Sequence, residues 1–392
     1  MIERHLRGCM PAVQATYPVL VITGPRQAGK TTLARAGFPQ LPYVSLEDPA
    51  ERAACLADPR AWLARYADGA VIDEVQRCPD LPSWLQGIVD TDRRMGRWVL
   101  TGSQQYMLLD RVTQSLAGRA ALLELMPFGH GELTAAGRAH GDPARAIWHG
   151  GYPPLYDRPV EPQRWFGDYL ATYLERDVRS VLSIRDLTRF AAFIRLCATR
   201  VGQSVNLASM AAELGIDGKT AGGWMSVLVA GYVVHLLPPH HANLGKRVVK
   251  HPKLYFLDTG LACRLLAIPT PDALPSHVSW GALAENWVVA EVIKARRHRG
   301  WRTDTLYWWR SSDGLESDLV LDQGGRLRSA EIKASSTPGP GDLTAQRRFA
   351  SLAGAVHAGS TLFHFGADTG QMLGADLRPW QDVDATVATW GI

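Results

Sequence analysis

Val19-Leu20-Val21-Ile22-Thr23-Gly24-Pro25-Arg26-Gln27-Ala28-Gly29-Lys30-Thr31-Thr32 (VLVITGPRQAGKTT) decides the reading of the first half of the chain. Four apolar residues in a row predict a buried strand, and the residues after it match G-x-x-x-x-G-K-[ST], a phosphate loop. Gly24 and Gly29 permit the tight turn. The amides between them point inward, toward an anion at a helix start. The spacing therefore predicts a nucleotide phosphate site over Gly24, Pro25, Arg26, Gln27, Ala28, Gly29, Lys30, Thr31 and Thr32. Lys30 is placed to reach the β- and γ-phosphates, and Thr31 to hold Mg²⁺.

Further along, Gly69-Ala70-Val71-Ile72-Asp73-Glu74 is a small apolar strand ending in two carboxylates. In this setting Asp73 is expected to support Mg²⁺ through its water shell, and Glu74 to polarise the attacking water. Trp98 to Gln104 is another strand with a polar end. Ser103 or Gln104 is a candidate for the γ-phosphate or the water there. Arg119, in Ser115-Leu116-Ala117-Gly118-Arg119, is a candidate to stabilise charge on the transferring phosphate, in cis or in trans. Strands alternating with helices predict an α/β domain with a parallel sheet, its ligands at the carboxyl ends of the strands.

The segments GPRQAGKTTL, AVIDEVQ, LTGSQ and SLAGR-then-MPF, in this order, resemble a bacterial and archaeal family of AAA-type ATPases. The C-terminal half of that family is a domain of unknown function, of the 4143 type. GGYPP (150–154) and YLATYLERDV (169–178) are similar to the signature opening that half. The resemblance implies an AAA-like ATPase using ATP and Mg²⁺, with Lys30, Thr31, Asp73 and Glu74 as its nucleotide-site residues and Arg119 as a weaker transfer.

The second half is expected to hold two domains, 151–272 and 273–392, after an ATPase domain over 1–150. Residues 127–162 are rich in Gly, Pro and Ala and read as a lid remnant and linker. Aromatic and aliphatic residues from Trp165 to Val181 recur at helical spacing and read as core. Asn206 to Ile216 and Thr220 to Ala230 have helix-turn-helix spacing around Gly215. Val233–Leu237 and Leu254–Leu257 read as a hairpin with a basic tip of Lys246, Arg247, Lys250, His251 and Lys253. Together these predict a winged helix. Its functional version puts Thr220 to Trp224 in a DNA major groove and the wing on phosphates, while the bland version only packs domains together. His235, His240 and His241 lack metal-ligand spacing, and two of them read as solvated.

Near the C-terminus, Glu285 lies on a predicted helix, Asp318 near the start of a strand, and Glu331 and Lys333 on the next strand across Gly324-Gly325. Alternation puts Glu331 and Lys333 on one face. The D…E-x-K arrangement with a helical Glu resembles the restriction-endonuclease-like superfamily, with Gln346 as a further polar candidate. Glu285, Asp318 and Glu331 would hold a divalent metal, and Asp318, Glu331 and Lys333 would cleave a phosphodiester. Such folds also occur as inactive structural modules.

With 392 residues, 46% hydrophobic and 20% charged, the composition is that of an ordinary globular protein. A net charge of +4 permits a nucleic-acid partner, DNA foremost, without requiring one. Five scattered cysteines argue against a disulfide framework or a zinc site. No leader or bilayer-spanning run is legible, so the expected location is the cytoplasm, with no membrane partner and a possible homo-oligomer. Three readings compete. One is an ATP-driven nucleic-acid-processing enzyme, the second an ATP switch or DNA-binding scaffold with a silent nuclease fold, and the third a protein remodeller.

Overall fold

The computed structural model describes residues 2–102, 115–173, 187–240 and 251–391. The chain divides into two compact units. The first comprises Met1–Phe128 together with two short later pieces, Ala230–Tyr232 and Arg297–Gly300; the second holds the remainder.

The first unit is built on the strands β1 (Val19–Thr23), β2 (Tyr43–Ser45), β3 (Ala70–Asp73), β4 (Trp98–Thr101) and β5 (Ala120–Glu124). They form one sheet in the order β2-β3-β4-β1-β5, every neighbouring pair parallel. Its helices are α1 (Met10–Gln14), α2 (Lys30–Gly37), α3 (Pro49–Ala57), α4 (Pro59–Ala64) and α5 (Leu81–Thr91). Alternation along the strands sorts the side chains into two cores. Val19, Val21, Ile72 and Leu100 meet Cys55, Trp62, Leu63, Leu85 and Val89 from α3 to α5. Leu20, Ile22, Val71 and Val99 meet Met10, Leu33 and Phe38. All five residues of β1 are buried, as a strand covered on both faces requires. Asp48 starts α3 by accepting from the Ala50 and Glu51 N–H groups, and Asp58 caps α4 through Ala61 N–H.

The second unit begins with α6 (His130–Ala135), α7 (Pro143–His149), α8 (Pro154–Asp157) and α9 (Pro162–Tyr173). The stretch expected as a linker thus carries three short helices and the start of a fourth. Its residues are tied into this unit: Trp148 Nε1 donates to Ile268 O at 3.0 Å and Thr259 Oγ1 donates to Ile147 O at 2.7 Å. The end of the aromatic stripe, 174–186, lies outside the described residues. Next come α10 (Leu187–Thr199), α11 (Leu207–Leu214) and α12 (Gly218–Ala230), with Gly215 at φ 62° closing α11. The antiparallel pair β6 (Val234–Leu237) and β7 (Lys253–Phe256) follows, then α13 (Thr259–Leu265) and α14 (Trp280–Arg297). The hairpin tip carrying Lys246, Arg247 and Lys250 lies outside the described residues, as does His241. His240 is not solvated. Its side chain is 3% exposed and sits 3.3 Å from Asp322.

A mixed sheet completes this unit: β8 (Leu306–Arg310), β9 (Glu316–Gln323), β10 (Arg326–Lys333), β11 (His357–His364), β12 (Gly370–Met372) and β13 (Ala375–Pro379). Its order is β12-β13-β11-β10-β9-β8. The helices α15 (Thr344–Ala353) and α16 (Val383–Trp390) accompany it, Phe349 of α15 packing with Trp309, Val320 and Leu327. Among the described residues no helix is long and apolar enough to cross a membrane.

His140 and His149 are half-buried with their rings 4.6 Å apart. Burial, reinforced by His140, pushes His149 down to about 4. A base whose folded pKa is depressed binds its proton more readily when unfolded. Its contribution is therefore complete above the ordinary value of 6.5 and is lost as pH falls toward 4. The upper bound is about 3 kcal/mol. Urea unfolding at pH 7 and pH 4.5 should show this loss, and His149→Gln should flatten it; equal pH dependence in both proteins would refute the assignment.

Candidate nucleotide site and acidic cluster

The phosphate loop leaves β1 at its carboxyl end. Gly24 has φ +140°, and a Cβ there would sit 2.0 Å from Leu125 O, so only glycine fits. Gln27 and Gly29 also have positive φ, at 62° and 92°, and Gly29 is the residue from which α2 starts. Lys30 is buried, and its ammonium bonds the loop carbonyls of Gly24 at 3.0 Å and Pro25 at 2.8 Å.

Beside the loop, Asp73 at the end of β3 accepts from Thr31 Oγ1 at 2.8 Å and Tyr43 Oη at 2.8 Å. Thr101 Oγ1 and the Glu74 N–H, the latter at 3.1 Å, add two further donors to this carboxylate. Partial burial, with the Asp73 carboxylate beside it, pushes the Tyr43 hydroxyl up to about 12. Glu74 takes the left-handed conformation at φ 56°, and its carboxylate accepts from the Gln76 amide. A hydroxyl and a carboxylate in direct contact are the hard oxygen donors that Mg²⁺ prefers, so Thr31 and Asp73 fit that ion.

Ser103 and Gln104 lie outside the described residues. Arg119 is placed where it does not reach the loop of its own chain. Its backbone carbonyl accepts from Val19 N–H, at the start of β1. Five strand residues at roughly 3.3 Å each separate that end from the loop. Its guanidinium grips Asp90, Nε to Oδ1 at 2.6 Å and Nη2 to Oδ2 at 2.9 Å. This placement speaks against the alternative in cis and is compatible with the one in trans.

Two residues the sequence did not single out complete this unit. Tyr232, at φ 58°, donates to Glu124 at 3.0 Å and is bonded to Thr23 Oγ1 at 2.7 Å, just before Gly24. Arg4 is buried under the loop, donating to Ala28 O at 2.8 Å and Met126 O at 2.6 Å while lying over the Phe128 ring. A cation on the Ala28 carbonyl polarises the Ala28–Gly29 peptide, whose N–H belongs to the loop. Arg4→Ala should therefore weaken ATP binding about five- to tenfold as well as lower the melting temperature, with Arg4→Lys intermediate. Titration of a fluorescent ATP analogue well below the melting point checks this, and wild-type affinity in the folded Ala variant would reduce Arg4 to a purely structural group.

In the second unit the structure gathers Glu285 from α14, Asp318 from β9, and Glu331 and Lys333 from β10. Lys333 Nζ pairs with Glu331 Oε1 at 2.7 Å. Gln346 of α15 donates to Glu331 Oε2 and to Ser317 Oγ, each at 3.0 Å. The ladder of β9 and β10 runs from Arg326↔Gln323 to Ala330↔Leu319. Just beyond it, the Asp318 carboxylate takes the Ile332 N–H at 2.9 Å. Burial, with Glu285 and Glu331 beside it, pushes Asp318 well above the usual carboxylate range. Burial also raises Glu331, against the pull of Lys333 and Gln346.

Lys253 is the unexpected member. Rather than sitting on the basic wing, it opens β7 and is buried. Its Nζ lies 3.0 Å from Glu285 Oε1, 2.5 Å from Glu316 Oε1 and 3.7 Å from Asp318 Oδ1. Burial opposes its charge, but Glu285, Asp318 and Glu316 together outweigh burial and hold the ammonium above its ordinary range. Tyr255 donates to the same Glu285 oxygen at 2.6 Å. Among the described residues no three carboxylate, imidazole or thiol side chains stand where they could hold a metal. The metal position expected for Glu285, Asp318 and Glu331 thus does not fit these residues as they stand: Glu285 and Asp318 stand around the Lys253 ammonium, and Glu331 pairs with Lys333.

Three family descriptions match the chain: an AAA domain over 16–134, a domain of unknown function (DUF8612) over 141–272, and a domain of unknown function (DUF4143) over 280–372. The uncharacterized protein Rv2008c of Mycobacterium tuberculosis is 35% identical over 327 residues, covering 82% of this chain and 71% of that protein. An uncharacterized protein of Mycobacterium bovis matches with the same figures. Among solved structures, the Walker-type ATPase PABY2304 of Pyrococcus abyssi is similar at TM-score 0.45 and 15% identity, over 68% of this chain and 96% of that one. The RuvB Holliday junction branch migration motor of Thermotoga maritima is similar at TM-score 0.29 and 19% identity, over 59% and 87%. The chain belongs to the family of AAA-type ATP-binding proteins that carry a C-terminal DUF4143 domain.

Proposed function

We propose that this protein hydrolyses ATP with Mg²⁺ at the phosphate loop and uses the cycle as a switch that controls its hold on a nucleic acid, DNA foremost. The observation supporting the first part is the 2.8 Å bond between Thr31 and Asp73, the two residues that would share the ion, next to Lys30 and Glu74. When bound, Mg²⁺ supplies neutralising charge to the β- and γ-phosphates. Thr31 would hold it directly and Asp73 through water. Lys30 turns from the loop carbonyls to the phosphates, and Glu74 orients and polarises the water that attacks. Ser103 would contact the γ-phosphate.

Arg119 is proposed to act in trans, leaving Asp90 for a neighbouring copy's nucleotide. Mixing Arg119→Ala with Lys30→Ala protein should then restore part of the turnover; no rescue between variants that still assemble would remove this role.

The nucleic-acid part is supported by α11 and α12 turning at Gly215, followed by the β6–β7 pair, which is the order of a winged helix, and by the net charge of +4. The placement of Lys253 favours a switch over a cleaving enzyme. Steady-state ATP turnover with Mg²⁺, with and without duplex DNA, tests the proposal. Turnover that needs Mg²⁺ and changes with DNA is expected. Turnover indifferent to duplex DNA would overturn the switch, and absence of turnover would overturn the ATPase reading.

A further inference from the structure

We propose that Lys253 is the built-in cation of the acidic cluster in the second unit, occupying the seat a divalent metal would otherwise take, so that the cluster is a latent metal site masked by an ammonium. This stands apart from the ATPase reading, since it concerns neither the phosphate loop nor its nucleotide.

The geometry carries it. Three carboxylates, Glu285, Glu316 and Asp318, lie within 3.7 Å of one nitrogen. Oxygen ligands of Mg²⁺ sit near 2.0–2.1 Å and those of Ca²⁺ at 2.3–2.6 Å. Of the three oxygens only that of Glu316, at 2.5 Å, lies at a metal-like distance; the other two, at 3.0 and 3.7 Å, are spaced for an ammonium. One positive charge among one buried and two partly buried carboxylates also leaves net negative charge, the condition under which a divalent ion would be drawn in if the seat were open.

Nor is Lys253 a long side chain resting there by chance. Its backbone is fixed on two sides, by the β7 pairing with Leu237 and a bridge to Ser204. Its side chain is only 4% exposed and its ammonium lies over the Trp308 ring, 5.5 Å from the centroid. Swinging out would strand the carboxylates without a counter-charge and forfeit the cation–π contact. Lys333, by contrast, is one-third exposed and stays with Glu331.

Trp308 supplies the readout. Terbium bound in this seat would lie beside that indole and emit on tryptophan excitation. Full-length, nucleotide-free protein is titrated with Tb³⁺ in four forms: wild type, Asp318→Asn, Lys253→Met and the double variant. Wild type and Asp318→Asn should give the same emission. Lys253→Met should gain emission severalfold, and the double variant should lose that gain. Mn²⁺ should raise the melting temperature of Lys253→Met by about 3–5 °C at ten times its dissociation constant and leave wild type unmoved. Wild-type emission that Asp318→Asn removes would overturn the proposal, because a metal would then be sharing the cluster with Lys253. A folded Lys253→Met protein without any gain would overturn it as well. Should that variant not fold even with Mn²⁺, wild type against Asp318→Asn decides alone. Lys30→Ala serves as the control for the other site: it should lose ATP turnover and keep the wild-type Tb³⁺ response.

Discussion

Replacing Lys30 by Ala is expected to lower kcat/KM for ATP by two or more orders of magnitude. The ammonium is held by the Gly24 and Pro25 carbonyls. Those contacts set the ammonium against neutral carbonyls, which compete weakly with the full negative charges of a polyphosphate. Removing the ammonium takes away the Lys30 charge that would join the loop amides and Mg²⁺ in offsetting charge building up on the transferring group. The strain of the loop resides in its backbone, at Gly24, Gln27 and Gly29, and truncating the Lys30 side chain would leave it in place. Calorimetric titration with ATP and a turnover assay check the expectation, with circular dichroism as the folding control. Unchanged kinetics in a folded variant would remove the central role given to this loop.

Glu74→Gln is expected to separate binding from hydrolysis: ATP affinity close to wild type, kcat lower by about 10²–10⁴-fold. The substitution keeps shape and left-handed backbone, a conformation that Gln adopts about as well as Glu. What it removes is the basic oxygen. The Gln76 amide that donates to Glu74 could still donate to the new carbonyl oxygen. Single-turnover chemistry should slow as much as steady-state turnover. A variant that fails to bind ATP at all would show that Glu74 shapes the site instead of acting on water.

The nucleotide half was legible because its signals are local. An apolar run, a glycine-bounded turn and two carboxylates at a strand end can each be read within ten residues, and β1 and β3 follow from them. Residues whose roles depend on distant chain were not. Tyr232 and Arg4 serve the loop from 209 and 24 residues away, and nothing beside them in sequence says so. Lys253 follows Lys246, Arg247 and Lys250, and so reads as a fourth wing cation; only the start of β7 turns it inward. A signal was available over 127–162. Pro143, Pro154 and Pro162 each stand at the beginning of a helix, where proline is favoured, and need not mark a linker. For Arg119 the sequence leaves cis and trans open, because a glycine turn before a strand says nothing about which end of the sheet it occupies.

The composition of the first unit has a consequence for the living chain, in the timing of its birth. Strand β5 and Phe128 emerge early in synthesis, but Ala230–Tyr232 and Arg297–Gly300 come up to about 170 residues later. At about 5–20 residues per second that interval is roughly 10–35 s. Throughout it Glu124 and Thr23 lack the Tyr232 hydroxyl, and Met126 N–H lacks the His298 ring that accepts from it. The nascent ATPase half therefore waits, collapsed but unsealed around its phosphate loop, until most of the second half has been made. A ribosome halted near codon 200 should display a nucleotide half more open to protease than the finished protein, and the same half should close once the halt is moved well past codon 300.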